Sequence, residues 1–127
     1  MWYYKLEKIS NADSFYAQAI KSGKVSMNEI TDEIVQNCSA TRADVILVLT
    51  ELADVMRQHL LNGEDVSILD LGTFSVSINS KAVKNPDDFV PEKHITRFRI
   101  NFRPITRRRS DGKYYYPILS GIKANRL

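Results

Sequence analysis

The side chains best placed to do chemistry are arginines set at alternate positions. Arg97, Arg99 and Arg103, with Asn101 among them, are interleaved with Phe98, Ile100 and Phe102. A period of two is that of a β-strand, so one face gathers guanidinium groups while the opposite face gathers rings and aliphatic chains. An earlier run has the same period, with Phe74, Val76 and Ile78 on one side and Ser75, Ser77 and Asn79 on the other. Guanidinium groups above small polar side chains suit a phosphate backbone. Each Arg can donate two parallel hydrogen bonds to phosphate oxygens, and short neighbours permit close approach. The bland reading is a solvated strand face whose arginines only block edge-to-edge aggregation. Lys81 at the end of the first strand and the run Arg107-Arg108-Arg109, expected to form a short helical turn, add to the basic set.

Net charge alone hides this clustering, because the 127 residues sum to only +3. Residues 1–92 hold 8 Lys/Arg against 14 Asp/Glu, whereas residues 93–127 hold 10 against 1. That asymmetry points to an anionic partner for the last quarter of the chain, nucleic acid being the commonest. Other classes find little support. Two isolated histidines, one cysteine and no glycine-rich phosphate loop leave no set of acid, base and nucleophile, so neither catalysis nor a small-molecule substrate is expected. No metal or other cofactor is expected either. The longest apolar run, Val45 to Leu49, is far short of a membrane span, and the charged start Met1-Trp2-Tyr3-Tyr4-Lys5 does not read as a signal peptide. A cytoplasmic protein is the expectation.

The elements that must position the arginines follow from local chemistry. Trp2 to Leu6 and Phe15 to Ile20 are aromatic-rich and flank the turn formers Ser10-Asn11-Ala12-Asp13-Ser14, which predicts a hairpin whose rings cover one edge of the core. Ser26 and Glu29 form the capping box of a helix carrying Met27, Ile30, Ile34 and Cys38 at helical spacing, with Cys38 expected to be buried. Thr41 caps a longer helix with Asp44 at its favourable dipole end. From Val45 to Leu61 the apolar residues exceed a single stripe, so this helix must be covered on two sides, and a second subunit is the economical source of cover. His59 within it is expected to be a surface or half-buried residue, and Asn62-Gly63 ends the helix. Asp65 to Leu69 reads as a strand, Asp70-Leu71-Gly72-Thr73-Phe74 as a tight glycine corner, and Pro86 with Pro91 as the end of pairing in a stubby ribbon between Lys81 and Ile95. Asp111-Gly112 is a turn, and Tyr114 to Leu119 reads as an extended tail against the N-terminal hairpin.

In order and spacing these residues resemble the bacterial HU and integration-host-factor family of histone-like DNA-binding proteins. The likeness covers about residues 25–109. Its carriers are the two capped helices, Leu71-Gly72-Thr73-Phe74 against the family's Gly-Phe-Gly-Thr-Phe, and Asn101-Phe102-Arg103-Pro104 against Thr-Phe-Arg-Pro. Lys84-Asn85-Pro86 is similar to the Arg-Asn-Pro of the family's arm tip. The resemblance implies an α+β fold with a two-helix base, an antiparallel sheet and a β-ribbon arm, in an intertwined homodimer that binds duplex DNA largely through the minor groove and bends it. It also implies that Pro86 is the arm-tip wedge. Asp70 stands where the family motif has its first glycine, and Asp87-Asp88 follow the proline.

The organisation expected is therefore a hairpin extension over residues 1–24, a DNA-binding domain over 25–110 and an aromatic, basic tail over 111–127. The leading function is architectural binding of double-stranded DNA with little sequence preference, in the nucleoid. Its contacts would be Lys81, Lys84, Asn85, Pro86, Arg97, Arg99, Arg103, Arg107, Arg108 and Arg109. The rival is a scaffold role, the same dimer fold using its aromatic ends to hold another protein.

Overall fold

The computed structural model describes all of residues 1–127. Along the chain run β1 (Trp2–Lys8), β2 (Phe15–Ile20), α1 (Met27–Asn37), α2 (Arg42–Leu61), β3 (Val66–Ile68), β4 (Gly72–Ser80), α3 (Pro91–His94), β5 (Ile95–Pro104), β6 (Arg107–Arg108), β7 (Tyr114–Tyr115) and β8 (Ala124–Arg126). Turns of 3-10 helix lie at Pro86–Asp88 and Pro117–Leu119. The fold is thus mixed α+β, in two compact units, residues Met1–Ile46 with Leu119–Leu127 and residues Leu47–Ile118.

In the first unit β1 and β2 pair antiparallel, Tyr3 opposite Ile20 through Lys8 opposite Phe15, around a turn in which Asn11 takes φ +63°. This is the expected hairpin. It is completed by a strand that the turn-and-alternation pattern did not announce: β8 lies parallel to β1, with Trp2 opposite Ala124 and Tyr4 opposite Arg126. Helix α1 starts where Ser26 Oγ accepts from the Glu29 N–H at 3.3 Å. Thr41 and Asp44 form a reciprocal box, the Thr41 hydroxyl accepting from the Asp44 N–H at 3.2 Å and the Asp44 carboxylate from the Thr41 N–H at 3.1 Å. Hydrogen bonding of Thr41 to the carboxylate itself, from its side-chain hydroxyl foremost and then from its backbone N–H, holds the Asp44 carboxyl below the usual carboxylate range. The Arg42 guanidinium joins Asp32 and, at 2.8 Å, Asn28, tying the start of α2 to α1. Cys38 departs from expectation. The helix ends at Asn37, Cys38 is its extended cap residue, and so the thiol leaves the apolar stripe and is exposed.

In the second unit α2 ends at Gly63 (φ +80°). The Glu64 N–H reaches the His59 carbonyl and the Gly63 N–H the Leu60 carbonyl, the paired bonds of a Schellman stop. His59 faces solvent against Glu64 at 3.1 Å. Three antiparallel strands follow in the order β3-β4-β5. The corner between β3 and β4 places Asp70 at φ +59°, where a glycine would be unstrained, and brings Gly72 so close to β5 that a Cβ there would strike the Arg103 carbonyl and lie 2.8 Å from Pro104 Cα. Pairing of β4 with β5 runs from Gly72 opposite Pro104 to Ser80 opposite Ile95, with a bulge at Asn79/Ser80. Pairing therefore stops at Ser80 and Ile95, with Pro86 and Pro91 in the segment between them.

The core is nearly empty. Only Thr31, Val45 and Gly72 are buried, and the chain exposes 11007 Å². A folded monomer of 14.5 kDa exposes about 6,900 Å² by the usual scaling. Along α2, Ile46, Leu47, Val48, Val55 and Leu61 are all exposed, the surplus of apolar surface that its sequence pattern predicts for a lone chain.

Candidate nucleic-acid interface

Cross-strand register sorts the two faces of the ribbon. On one, Thr73 stands opposite Arg103, Ser75 opposite Asn101, Ser77 opposite Arg99 and Asn79 opposite Arg97. Ser67 of β3 extends the first row, opposite Thr73, with their hydroxyls 3.3 Å apart. Each arginine of this face thus has a short polar side chain as its neighbour. Asn101 Nδ2 donates diagonally to Ser77 Oγ at 2.9 Å. Arg97, Arg99 and Arg103 take part in none of the four ion pairs of the chain and in no side-chain hydrogen bond, so their donors are available to an external anion. Beside Arg103 the surface dips into a hollow of about 460 Å³ walled in part by Ser67, Thr73, Thr106 and Tyr116.

The opposite face pairs Phe74 with Phe102, Val76 with Ile100 and Ile78 with Phe98. The rings of Phe74 and Phe102 sit 4.8 Å apart, but Phe98 and Ile100 are each 66% exposed. With Ala53, Met56 and Leu60 of α2 they line an open apolar groove of about 830 Å³. A sheet face this apolar and this bare is destined for cover.

The remaining expected contacts divide. At the ribbon's end the Lys81 N–H donates to the His94 carbonyl at 2.7 Å. Lys84 lies in the tip segment, where Asn85 Oδ1 accepts from the Asp87 N–H at 3.1 Å and Pro86 opens the 3-10 turn. Asp87 and Asp88 complete that turn, so carboxylates flank the proline, while Phe89 stacks on His94 at 5.2 Å. Arg107 to Arg109 correct the expectation of a helical turn. Arg107 and Arg108 form β6, antiparallel to β7 around Asp111-Gly112, because Tyr114 and Tyr115 supply the partner backbone. Tyr114 and Tyr115 thus lie in a paired strand rather than an extended tail, and the C-terminal segment that pairs with the N-terminal hairpin is Ala124–Arg126.

Within the small ribbon the three basic groups are engaged. Arg107 pairs with Asp70 at 3.0 Å, the Arg108 guanidinium lies 5.7 Å from the Tyr114 ring centre, and that of Arg109 lies 5.0 Å from Tyr115. Reading the sequence for basic residues alone missed these partners. The signal for Asp70 was its place in the glycine corner, and for the tyrosines their spacing across Asp111-Gly112. No group of three or more acidic, His or Cys side chains is arranged for a metal ion, and no helix is long and apolar enough to cross a membrane.

Comparison with known proteins gives a family and a fold. A family model described as "HU domain fused to wHTH, Ig, or Glycine-rich motif", HU-HIG, matches residues 2–113, the N-terminal hairpin included. A solved structure named "Putative bacterial DNA binding protein from Bacteroides vulgatus ATCC 8482" superposes with a TM-score of 0.60 at 16% identity, over 80% of this chain and 41% of that one. This chain therefore spans less than half the length of that relative. No curated protein matches the sequence.

Proposed function

The chain belongs to the HU-HIG family, and from that premise we propose that it binds duplex DNA as a homodimer, through the arginine face of the β4–β5 ribbon, as an architectural protein of the nucleoid with little sequence preference. The observation that carries this reading is the row of unpaired guanidinium groups, Arg97, Arg99 and Arg103, over Asn79, Ser77 and Thr73. Acidic residues are absent from that face, although 15 are spread through the chain. Phosphate contacts from such a face fix position and orientation without reading sequence.

Dimerisation is supported by the uncovered surface. The excess over a folded monomer, about 4,000 Å² per chain or about 8,000 Å² over two, is ample for an obligate interface, which buries roughly 2,000–5,000 Å² over both partners. The groove between α2 and the apolar side of the ribbon is the natural seat of a second copy's apolar residues. Two arginine faces per particle would then follow. The tip contributes through Lys81 and Lys84, and Asn85 serves to shape the turn. Pro86 is a poor wedge here, because Asp87 and Asp88 would be pressed toward phosphates.

The test is a fluorescence-anisotropy titration of a mixed-sequence duplex over a salt series. Affinity should fall steeply with salt, since each neutralised phosphate releases counterions. R97E combined with R99E should abolish retention. Absence of duplex binding at low salt, or binding indifferent to salt, would sink the proposal in favour of the scaffold role.

A further inference from the structure

The polar face is not uniform: at its middle, between Arg99 and Arg103, stands an amide. Asn101 is the one position of the β5 row that carries no charge, and its neighbours Ser75 and Ser77 are short enough to leave it uncrowded. Its Nδ2 is held by Ser77 Oγ, which fixes the plane of the amide, while Oδ1 accepts no hydrogen bond within the protein. An exposed carbonyl with no partner in the protein, at the centre of a cationic face, is an acceptor that a donor on the DNA can take from water.

Resting on the reading of this face as the DNA site, we propose that Asn101 is a base-reading residue that favours G·C over A·T pairs in the minor groove. Arg99 and Arg103 are four residues apart on β5, about 13–14 Å, which brackets a groove of roughly 6 Å and its phosphate rims and places Asn101 over the groove floor. A groove of roughly 12 Å with its own phosphate rims is wider than this span, so the two guanidinium groups would not reach both rims at once. Along the minor-groove floor A·T pairs present only acceptors, and the guanine N2 amino group is the sole donor. The Asn101 carbonyl therefore accepts from guanine N2, and the second Nδ2 hydrogen remains free for the adjacent guanine N3. Facing A·T, the same carbonyl meets an acceptor and is left unpaired, which costs binding. Sheet faces reach the floor by opening the groove and bending the duplex away, so the contact forms in the bent complex.

The experiment uses the full chain and three duplexes of one length: G·C-rich, the same with inosine for guanine, and A·T-rich with 2,6-diaminopurine for adenine. Inosine deletes only the N2 amino group and leaves the major groove unchanged, and diaminopurine adds that group. The expected result is binding of the G·C duplex at least about fivefold tighter than the inosine duplex, the worth of one hydrogen bond. Diaminopurine should strengthen binding over plain A·T by a similar factor. N101A should erase both differences while keeping the salt dependence set by the arginines, and circular dichroism of N101A controls for folding. Equal affinity for the guanine and inosine duplexes, or a preference that survives N101A, overturns the role of Asn101 and leaves the DNA-binding reading intact. Failure to bind any duplex removes both.

Discussion

Gly72 packs its α-carbon against β5 so closely that alanine there must displace the Arg103 backbone. G72A is therefore expected to cost more than about 1 kcal/mol in chemical denaturation, more than loss of glycine's chain freedom alone could offset. Asp44 offers a second check. Because its carboxyl is held below the usual range by Thr41, its cap stabilises the fold fully above the unfolded-state value near pH 4. That contribution is lost as pH falls through the lower, folded-state value. D44N should lower stability at neutral pH, where the carboxylate's contribution is fully present, and flatten this acid limb of the profile, as read by thermal melts from pH 2 to 7. These local devices were legible in the sequence because caps and glycine corners are written within three or four residues. Cys38 was not, because a helix stopping one residue sooner moved it off the apolar stripe.

Among the elements, the β4–β5 ribbon followed directly from its alternation. Each side chain's face is fixed by parity once the prolines limit the pairing. The β6–β7 ribbon was hidden, since a run of arginines carries no period and its partner tyrosines lie beyond the turn. Its engagement has a measurable consequence. Asp70 withholds Arg107 through an exposed pair, a contact worth less than about 1 kcal/mol to stability. D70N keeps a residue type tolerant of positive φ and removes the carboxylate. It is expected to leave the melting temperature nearly unchanged and to raise duplex affinity at low salt a few-fold, with a steeper salt dependence, in the anisotropy assay. No gain in affinity would place Arg107 outside the contact surface.

At the scale of the molecule α2 and the ribbon have bare apolar faces, as the breadth of the apolar pattern from Val45 to Leu61 leads one to expect of a single chain, and the proposed dimer would cover them. Sedimentation equilibrium of the free protein should give twice the 14.5 kDa chain mass, and I100E, which sets a carboxylate into the groove, should return it to the single-chain value. The pairing of β8 with β1 was beyond sequence reading, because strands separated by over a hundred residues share no local pattern. That same pairing imposes a schedule on biosynthesis. While the ribosome is still extending the chain, β1 stands with one flank open and aromatic, its backbone groups there held by water until a strand made much later pairs with them. A chaperone that shields nascent aromatic strands should therefore improve the yield of this protein, and pausing translation before Ala124 should raise misassembly.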